Sequence, residues 1–244
     1  MTLRALIVDD EEPARRLLAE RLAAAADIEV VGECRNGFEA VQAIQRLVPD
    51  VVFLDVQMPK LDGFEVLELL DEPPAVVFTT AYDEYALRAF EVHAVDYLLK
   101  PFGEQRLGEA LARLRERLAR GERPAPPPLA RTARAGAPLE RVLVRDGERI
   151  HVLAPERIDY VEARGDGVVL KVGDRRLRKA TPLGELAAEL DPRRFLRVHR
   201  SYLLNLERLA GLELYAKDSR VALLKDGSRI PVSRAGYARL RELL

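Results

Sequence analysis

Residues 50–63 read DVVFLDVQMPKLDG. Val51 to Leu54 run without interruption into the carboxylate of Asp55. Such a run, bounded by charged and turn residues, reads as a strand buried on both faces of a parallel sheet. An ionised carboxylate at its end needs a partner. The same placement recurs on either side. Leu6-Ile7-Val8 runs into Asp9 and Asp10, Val76-Val77-Phe78 into Thr79 and Thr80, and Tyr97-Leu98-Leu99 into Lys100-Pro101. Ligands of open α/β sheets bind outside the carboxyl ends of the strands. Three carboxylates, a hydroxyl and an ammonium are therefore expected along one edge. Carboxylates at that density suit a hard cation such as Mg2+, and Mg2+ beside Lys and Thr suits a phosphoryl group.

Helix-like segments fill the gaps between these runs. Strands are predicted at 3–8, 28–34, 51–54, 75–79 and 96–99, and helices near 12–26, 37–47, 63–71, 83–91 and 103–120. Pro13 suits a first helical turn. Leu107, Leu111, Leu114 and Leu118 recur at helical spacing and give the last helix one apolar stripe. Alternating β and α units of this kind make a doubly wound α/β domain. Lys100-Pro101-Phe102 fits a restricted turn, trans or cis.

Residues 121–138, GERPAPPPLARTARAGAP, hold five prolines and almost no large apolar side chain. With little to bury, this stretch reads as a semi-extended, solvated linker. It also marks a charge boundary. Residues 1–120 carry 14 Lys/Arg against 23 Asp/Glu, a net of −9, and residues 121–244 carry 25 against 17, a net of +8. Such polarity suggests one half that uses a cation and one that meets something anionic.

Beyond the linker the period changes. Strand-like stretches appear at 141–145, 149–153, 157–163, 168–172, 175–179, 209–215, 220–224 and 229–232. Asp146-Gly147, Gly165-Asp166-Gly167, Gly173-Asp174 and Asp226-Gly227 supply tight turns between several of them. Helices are predicted at 182–190 and, from Ser233 as N-cap, at 234–243. In FLRVHRSYLLN, 195–205, basic and apolar residues interleave, which reads as a β or 3₁₀ segment with a basic face. This half is mainly β.

The bulk numbers exclude several classes. Cys34 is the only cysteine, so no intramolecular disulfide or cysteine-cluster metal site can form. Acidic residues arrive by Asp9, so no signal peptide is expected, and no apolar stretch approaches the roughly 20 residues that span a bilayer. A cytoplasmic protein is expected. From the residues alone, adjacent acids at a strand end also serve as helix caps and dipole partners, so Asp9 and Asp10 admit both readings.

The motifs together resemble a known family. VDDEEPAR at 8–15, LDVQMPKLDG at 54–63, FTTAYDEYALRAF at 78–90 and DYLLKPF at 96–102 resemble bacterial response-regulator receiver domains. The resemblance covers about residues 1–120 and implies a flavodoxin-like, five-stranded parallel sheet. It implies that Asp55 accepts a phosphoryl group from a sensor histidine kinase. Asp10, Asp55 and the main-chain carbonyl of Gln57 would bind Mg2+, with Asp9 reaching the ion through water. Thr80 would hydrogen-bond a phosphoryl oxygen, Lys100 would pair with another, and Tyr97 would be the switch aromatic that follows Thr80.

IDYVEARGDGVVLKV at 158–172, FLRVHRSYLLNLERL at 195–209 and IPVSRAGYARL at 230–240 resemble the LytTR DNA-binding domain, over about 139–244. That family places loops, rather than a recognition helix, in successive major grooves. The resemblance implies base or phosphate contacts from Arg200 and Arg234, with Arg164 of the 164–167 loop and Ser201 at the same groove and His199 either touching DNA or supporting the loop. The arginine fork matches guanine O6 and N7. Arg175, Arg176, Arg178, Lys179, Arg193 and Arg194 are candidates for phosphate contact.

The expectation is a transcription regulator of a two-component system, not an enzyme. Its domains would be a receiver at 1–120, a linker at 121–138 and a LytTR-type domain at 139–244. Phosphorylation would promote a homodimer through about residues 83–120, where Arg88, Glu91, Asp96, Arg113 and Arg115 offer mixed charges. The dimer would bind repeated, double-stranded promoter DNA. One rival is a receiver coupled to a protein- or RNA-binding β domain without DNA specificity. Another is a haloacid-dehalogenase-like phosphatase, which needs a second acid two residues after its aspartate, where this chain has Gln57.

Overall fold

The computed structural model describes residues 2–243 except 83, 84, 86–88, 90, 91, 122–137, 148, 217 and 218. Most of the helix expected near 83–91 and nearly all of the expected linker lie outside the described residues. The chain divides into two compact units, Met1–Thr132 and Ala133–Leu244.

In the first unit β1 (Leu3–Val8), β2 (Ile28–Cys34), β3 (Val51–Asp55), β4 (Ala75–Thr80) and β5 (Asp96–Leu99) form one parallel sheet in the order β2-β1-β3-β4-β5. That is the doubly wound order expected from the alternation. Successive strand side chains point to opposite faces. Ala5, Ile7, Val51, Phe53, Val77 and Leu98 pack in one cluster with Leu18 and Leu22 of α1 (Glu12–Ala23) and with Leu107, Leu111 and Leu114 of α4 (Glu104–Ala119). Leu6, Val8, Val52, Leu54 and Phe78 have the other parity and are equally buried. α2 (Gly37–Leu47) packs against β1 and β2, and α3 (Gly63–Glu68) against α2.

Local chemistry sets the helix starts. Asn36 accepts from the Glu39 N–H at 3.0 Å. Asp62 and Glu65 form a reciprocal capping box. That box fixes the loop after Asp55, and the loop is tight: a Cβ on Gly63 would lie 2.5 Å from the Asp55 carbonyl oxygen. The Lys100–Pro101 peptide is cis.

The second unit is mainly β. β6 (Val142–Asp146) and β7 (Arg149–Leu153) pair as a hairpin. β8 (Tyr160–Arg164), β9 (Gly167–Val172), β10 (Arg175–Lys179), β11 (Phe195–His199) and β12 (Tyr202–Asn205) form an antiparallel sheet, order β10-β9-β8-β12-β11. β13 (Leu209–Ala216), β14 (Ser219–Leu224) and β15 (Arg229–Val232) form a third sheet. Two helices, α5 (Leu183–Glu189) and α6 (Arg234–Leu243), complete it.

The five-stranded sheet of this unit carries a core on each face. Val161 and Leu203 pack with Val142, Leu170 and Leu186, while their neighbours Tyr160 and Leu204 pack with Val198, Ile230 and Leu240. The stretch at 195–205 differs from its sequence reading. It is two paired strands joined by a turn at Arg200-Ser201. Arg197 and Arg200 stay exposed while Val198 and Leu203 take buried positions, and His199 is half-buried.

Candidate functional site

The carboxyl ends of β1, β3, β4 and β5 bring Asp9, Asp10, Asp55, Thr80 and Lys100 to one edge, as strand order requires. Ligand atoms of Asp9, Asp10 and Asp55 all lie within 4.8 Å of one another. Asp9 and Asp55 are buried and Asp10 is exposed. The Lys100 ammonium donates to Asp9 at 2.6 Å and to Asp55 at 2.9 Å. Burial is the largest influence on Asp55 and, with the Asp9 charge, pushes its carboxyl up to about 6 against the opposing pull of Lys100. Burial works against the Lys100 ammonium too, but its bonds to both carboxylates hold it above the ordinary lysine value. Two buried carboxylates share one ammonium, so the edge is short of positive charge. Three hard oxygen donors around such a deficit fit Mg2+.

The remaining expected residues surround this centre. Gln57 donates its main-chain N–H to Asp55 at 3.2 Å. Its side-chain amide turns away, to the Tyr85 hydroxyl at 2.9 Å. Thr80 is fully buried, and its hydroxyl oxygen accepts from the Tyr82 N–H at 3.3 Å. Tyr97 is half-buried and donates its hydroxyl to the Tyr82 carbonyl. Arg15 carries no signal in the sequence that marks it for this site. Its guanidinium donates to the Asp9 carbonyl at 2.8 Å and lies 3.4 Å from Glu33, tying the acidic loop to the end of β2.

The mixed charges expected to pair between subunits are satisfied at home where they are described. Asp96 is gripped by Arg106, at 2.8 Å and 2.5 Å, and by Arg113 at 2.7 Å. Burial opposes its ionisation, but these guanidiniums hold its carboxyl below the usual range. Arg115 pairs with Asp27 at 2.7 Å. Arg88 and Glu91 lie outside the described residues.

In the second unit three turns meet. Ala163 donates to the Ser201 carbonyl at 2.8 Å, which seats the Arg164–Gly167 turn beside the Arg200-Ser201 turn. The Val198 carbonyl accepts from both the N–H and the hydroxyl of Ser233, at 2.9 and 3.0 Å, which seats the start of α6 against the same strand end. Ser233 also accepts from the Gly236 N–H at 3.0 Å, the expected cap. Arg164, Arg200 and Arg234 are exposed at these turns. His199 braces its own turn, where its Nδ1 accepts from the Ser201 N–H at 3.2 Å. The Arg197 guanidinium holds the Arg200 carbonyl at 2.9 Å, and Arg239 holds that of Arg197 at 2.6 Å.

The expected phosphate-contact residues divide. Lys179 is excluded: it is buried and donates to the Leu143 carbonyl at 3.0 Å. Strand register puts Arg175 and Arg176 toward the end of β10 far from the three turns, Arg193 and Arg194 precede β11 at its far end, and Arg178 lies near the turns, paired with Asp166 at 2.7 Å. Gly236 is a further residue that the sequence does not single out. A Cβ there would lie 1.9 Å from the Val198 carbonyl oxygen, so only glycine lets α6 seat on β11.

Comparison with known proteins agrees with this division. Residues 5–112 match the response regulator receiver domain, and residues 148–244 match the LytTr DNA-binding domain. An uncharacterized response regulatory protein of Yersinia pestis is 41% identical over 250 residues, covering 99% of this chain and 98% of its own. The transcriptional regulatory protein BtsR of Escherichia coli is 37% identical, covering 99% of each. The crystal structure of the response regulatory domain of mrkE from Klebsiella pneumoniae is 32% identical over 48% of this chain and 99% of that domain, with a TM-score of 0.46. No helix among the described residues is long and apolar enough to cross a membrane.

Proposed function

The chain belongs to the response regulators that join a receiver domain to a LytTr DNA-binding domain, a family of transcription regulators rather than enzymes, and from that premise we propose that phosphorylation of Asp55 by a sensor histidine kinase controls its binding to promoter DNA. The observation that carries this reading is the Lys100 ammonium within hydrogen-bonding distance of both Asp9 and Asp55 at the open edge of the sheet. The receiver is read as residues 1–120, the linker as 121–138 and the DNA-binding domain as 139–244.

Asp55 supplies the nucleophilic oxygen. Its bond to phosphorus forms as the bond to the donor's leaving nitrogen breaks, and the leaving group departs protonated. Lys100 would follow a phosphoryl oxygen as its bond to Asp55 loosens. The Thr80 hydroxyl, on the neighbouring strand β4, would donate to another. Asp10, Asp55 and the main-chain carbonyl of Gln57 would hold Mg2+, with Asp9 behind water. Mg2+ when bound neutralises charge on the phosphoryl oxygens. Tyr97 and Tyr82 would carry the change outward toward residues 83–120, where phosphorylated chains would pair. Sedimentation with and without a phosphoryl mimic tests that pairing, and an unchanged mass at micromolar concentration counts against it.

Two such chains would present Arg200 and Arg234 to bases of a repeated site. His199 and Ser201 would shape the turn, Arg164 would reach the same groove, and Arg178 would hold phosphate. A bidentate arginine–guanine pair gives roughly 1–3 kcal/mol of discrimination. Arg200→Ala and Arg234→Ala are each expected to flatten preference at one site position by about tenfold. Arg178→Ala is expected to weaken all sequences alike and to shallow the salt slope by about one unit. Titration against the site, its single-base variants and unrelated DNA checks both. Equal losses on every sequence would make Arg200 and Arg234 backbone anchors instead.

A further inference from the structure

Lys100 works from a turn, not from a strand. Its own N–H is fixed to the Thr80 carbonyl at 2.6 Å, but the next residue is proline and has no N–H to give. One residue past the proline, the Phe102 carbonyl is held from across the unit. Arg21, 81 residues earlier in the chain, donates its guanidinium to the Phe102 carbonyl. The same guanidinium carbon lies 5.7 Å from the centre of the Phe102 ring, within cation–π range. Phe102 in turn packs against the cluster of α1, α4 and the sheet.

Arg21 sits in the last turn of α1, where any cation suits the helix dipole. That accounts for a charge at this position. It does not account for a side chain that leaves the helix to grip one carbonyl and one ring of a single residue. Of the metal-side carboxylates, Asp55 ends β3 and Asp9 and Asp10 directly follow β1, two strands paired on both sides in the sheet, and the Asp9 N–H is held by the Cys34 carbonyl at 3.0 Å. Arg21 touches none of these carboxylates.

We infer that Arg21 is a positioning residue for Lys100: it clamps the Lys100–Phe102 turn from α1 and so governs how well the edge holds a phosphoryl group, and it reaches the metal-side carboxylates only through Lys100. This rests on the reading of Asp55 as the phosphoacceptor. Small displacements of a preorganised charged group are enough to weaken binding.

The test is a pair of melting-temperature titrations on the full chain, one with Mg2+ alone and one with beryllium fluoride at saturating Mg2+. Arg21→Ala is expected to raise the beryllium fluoride concentration at half-saturation by about three- to tenfold, the loss of one charge-assisted bond, and to shift the Mg2+ titration by clearly less. Arg21→Lys, which keeps the charge and reach but not the planar fork, is expected to shift the same way by less, and serves if the alanine variant does not fold. Equal shifts in both titrations would reduce Arg21 to a structural residue and overturn the inference. So would no shift in either. A wild-type chain that binds Mg2+ but not beryllium fluoride would overturn the reading of Asp55 itself, and the inference with it.

Discussion

Asp55→Asn is expected to take up no phosphoryl group from a small phosphodonor with Mg2+, while the wild-type chain gains one and loses that capacity on chelation. Intact mass reads this directly. The amide keeps the size of the side chain and removes the nucleophile. A variant that still gains the phosphoryl mass would mean that another residue accepts it.

The same substitution has a pH signature. The Asp55 carboxyl stands at about 6 in the folded chain against an ordinary value of 3.8. Between those values the folded state binds more protons than the unfolded one, so stability falls as pH rises through that window. The cost is complete above about pH 6 and amounts to roughly 3 kcal/mol. Asp55→Asn removes this contribution. Without metal, its stability relative to wild type is expected to rise by about that amount between pH 4 and pH 7. Paired denaturant titrations across the window check the sign, and a gap that narrows toward neutral pH would contradict it.

Gly236→Ala is expected to abolish specific DNA binding although residue 236 is buried. The added carbon would lie 1.9 Å from the Val198 carbonyl oxygen and 2.6 Å from its carbon, both backbone. Either α6 lifts or the edge strand β11 shifts at Val198, and both movements disturb the Ser233–Val198 bonds that seat the helix. Overpacking against backbone costs about 3 kcal/mol or more. Gly211→Ala is the control, because nothing lies within 4 Å of its added carbon. Thermal melting and a binding titration of both variants decide the matter. A Gly236→Ala chain that melts and binds like Gly211→Ala would show that the helix seat is not needed for DNA binding.

The first unit is legible in the sequence because its signals are local. An uninterrupted apolar run ending in a reactive residue marks both a buried strand and the edge where ligands gather, and Asp9, Asp55, Thr80 and Lys100 all carry that mark. The second unit is less so. Strands β11 and β12 merge into one segment when read from sequence, because Arg200-Ser201 carries none of the glycine, proline or asparagine that announces a turn. Gly236 reads as a weak spot in a helix until the strand beneath it is seen. Arg15 and Arg21 look like solvated helix charges, because their carbonyl partners are set by tertiary packing. The same holds for Asp96. Its sequence neighbourhood cannot distinguish a partner in the same chain, Arg106 and Arg113, from one in a second copy.

The most direct test of a receiver that controls a DNA-binding domain is one titration at fixed salt. Full-length wild type and Asp55→Asn, each with and without phosphodonor and Mg2+, are titrated against a duplex promoter site and against unrelated duplex and RNA of equal length. The prediction is that phosphodonor tightens wild-type binding to the site, leaves unrelated DNA and RNA weak, and changes nothing for Asp55→Asn. Binding that ignores both the phosphodonor and the sequence of the nucleic acid would contradict it.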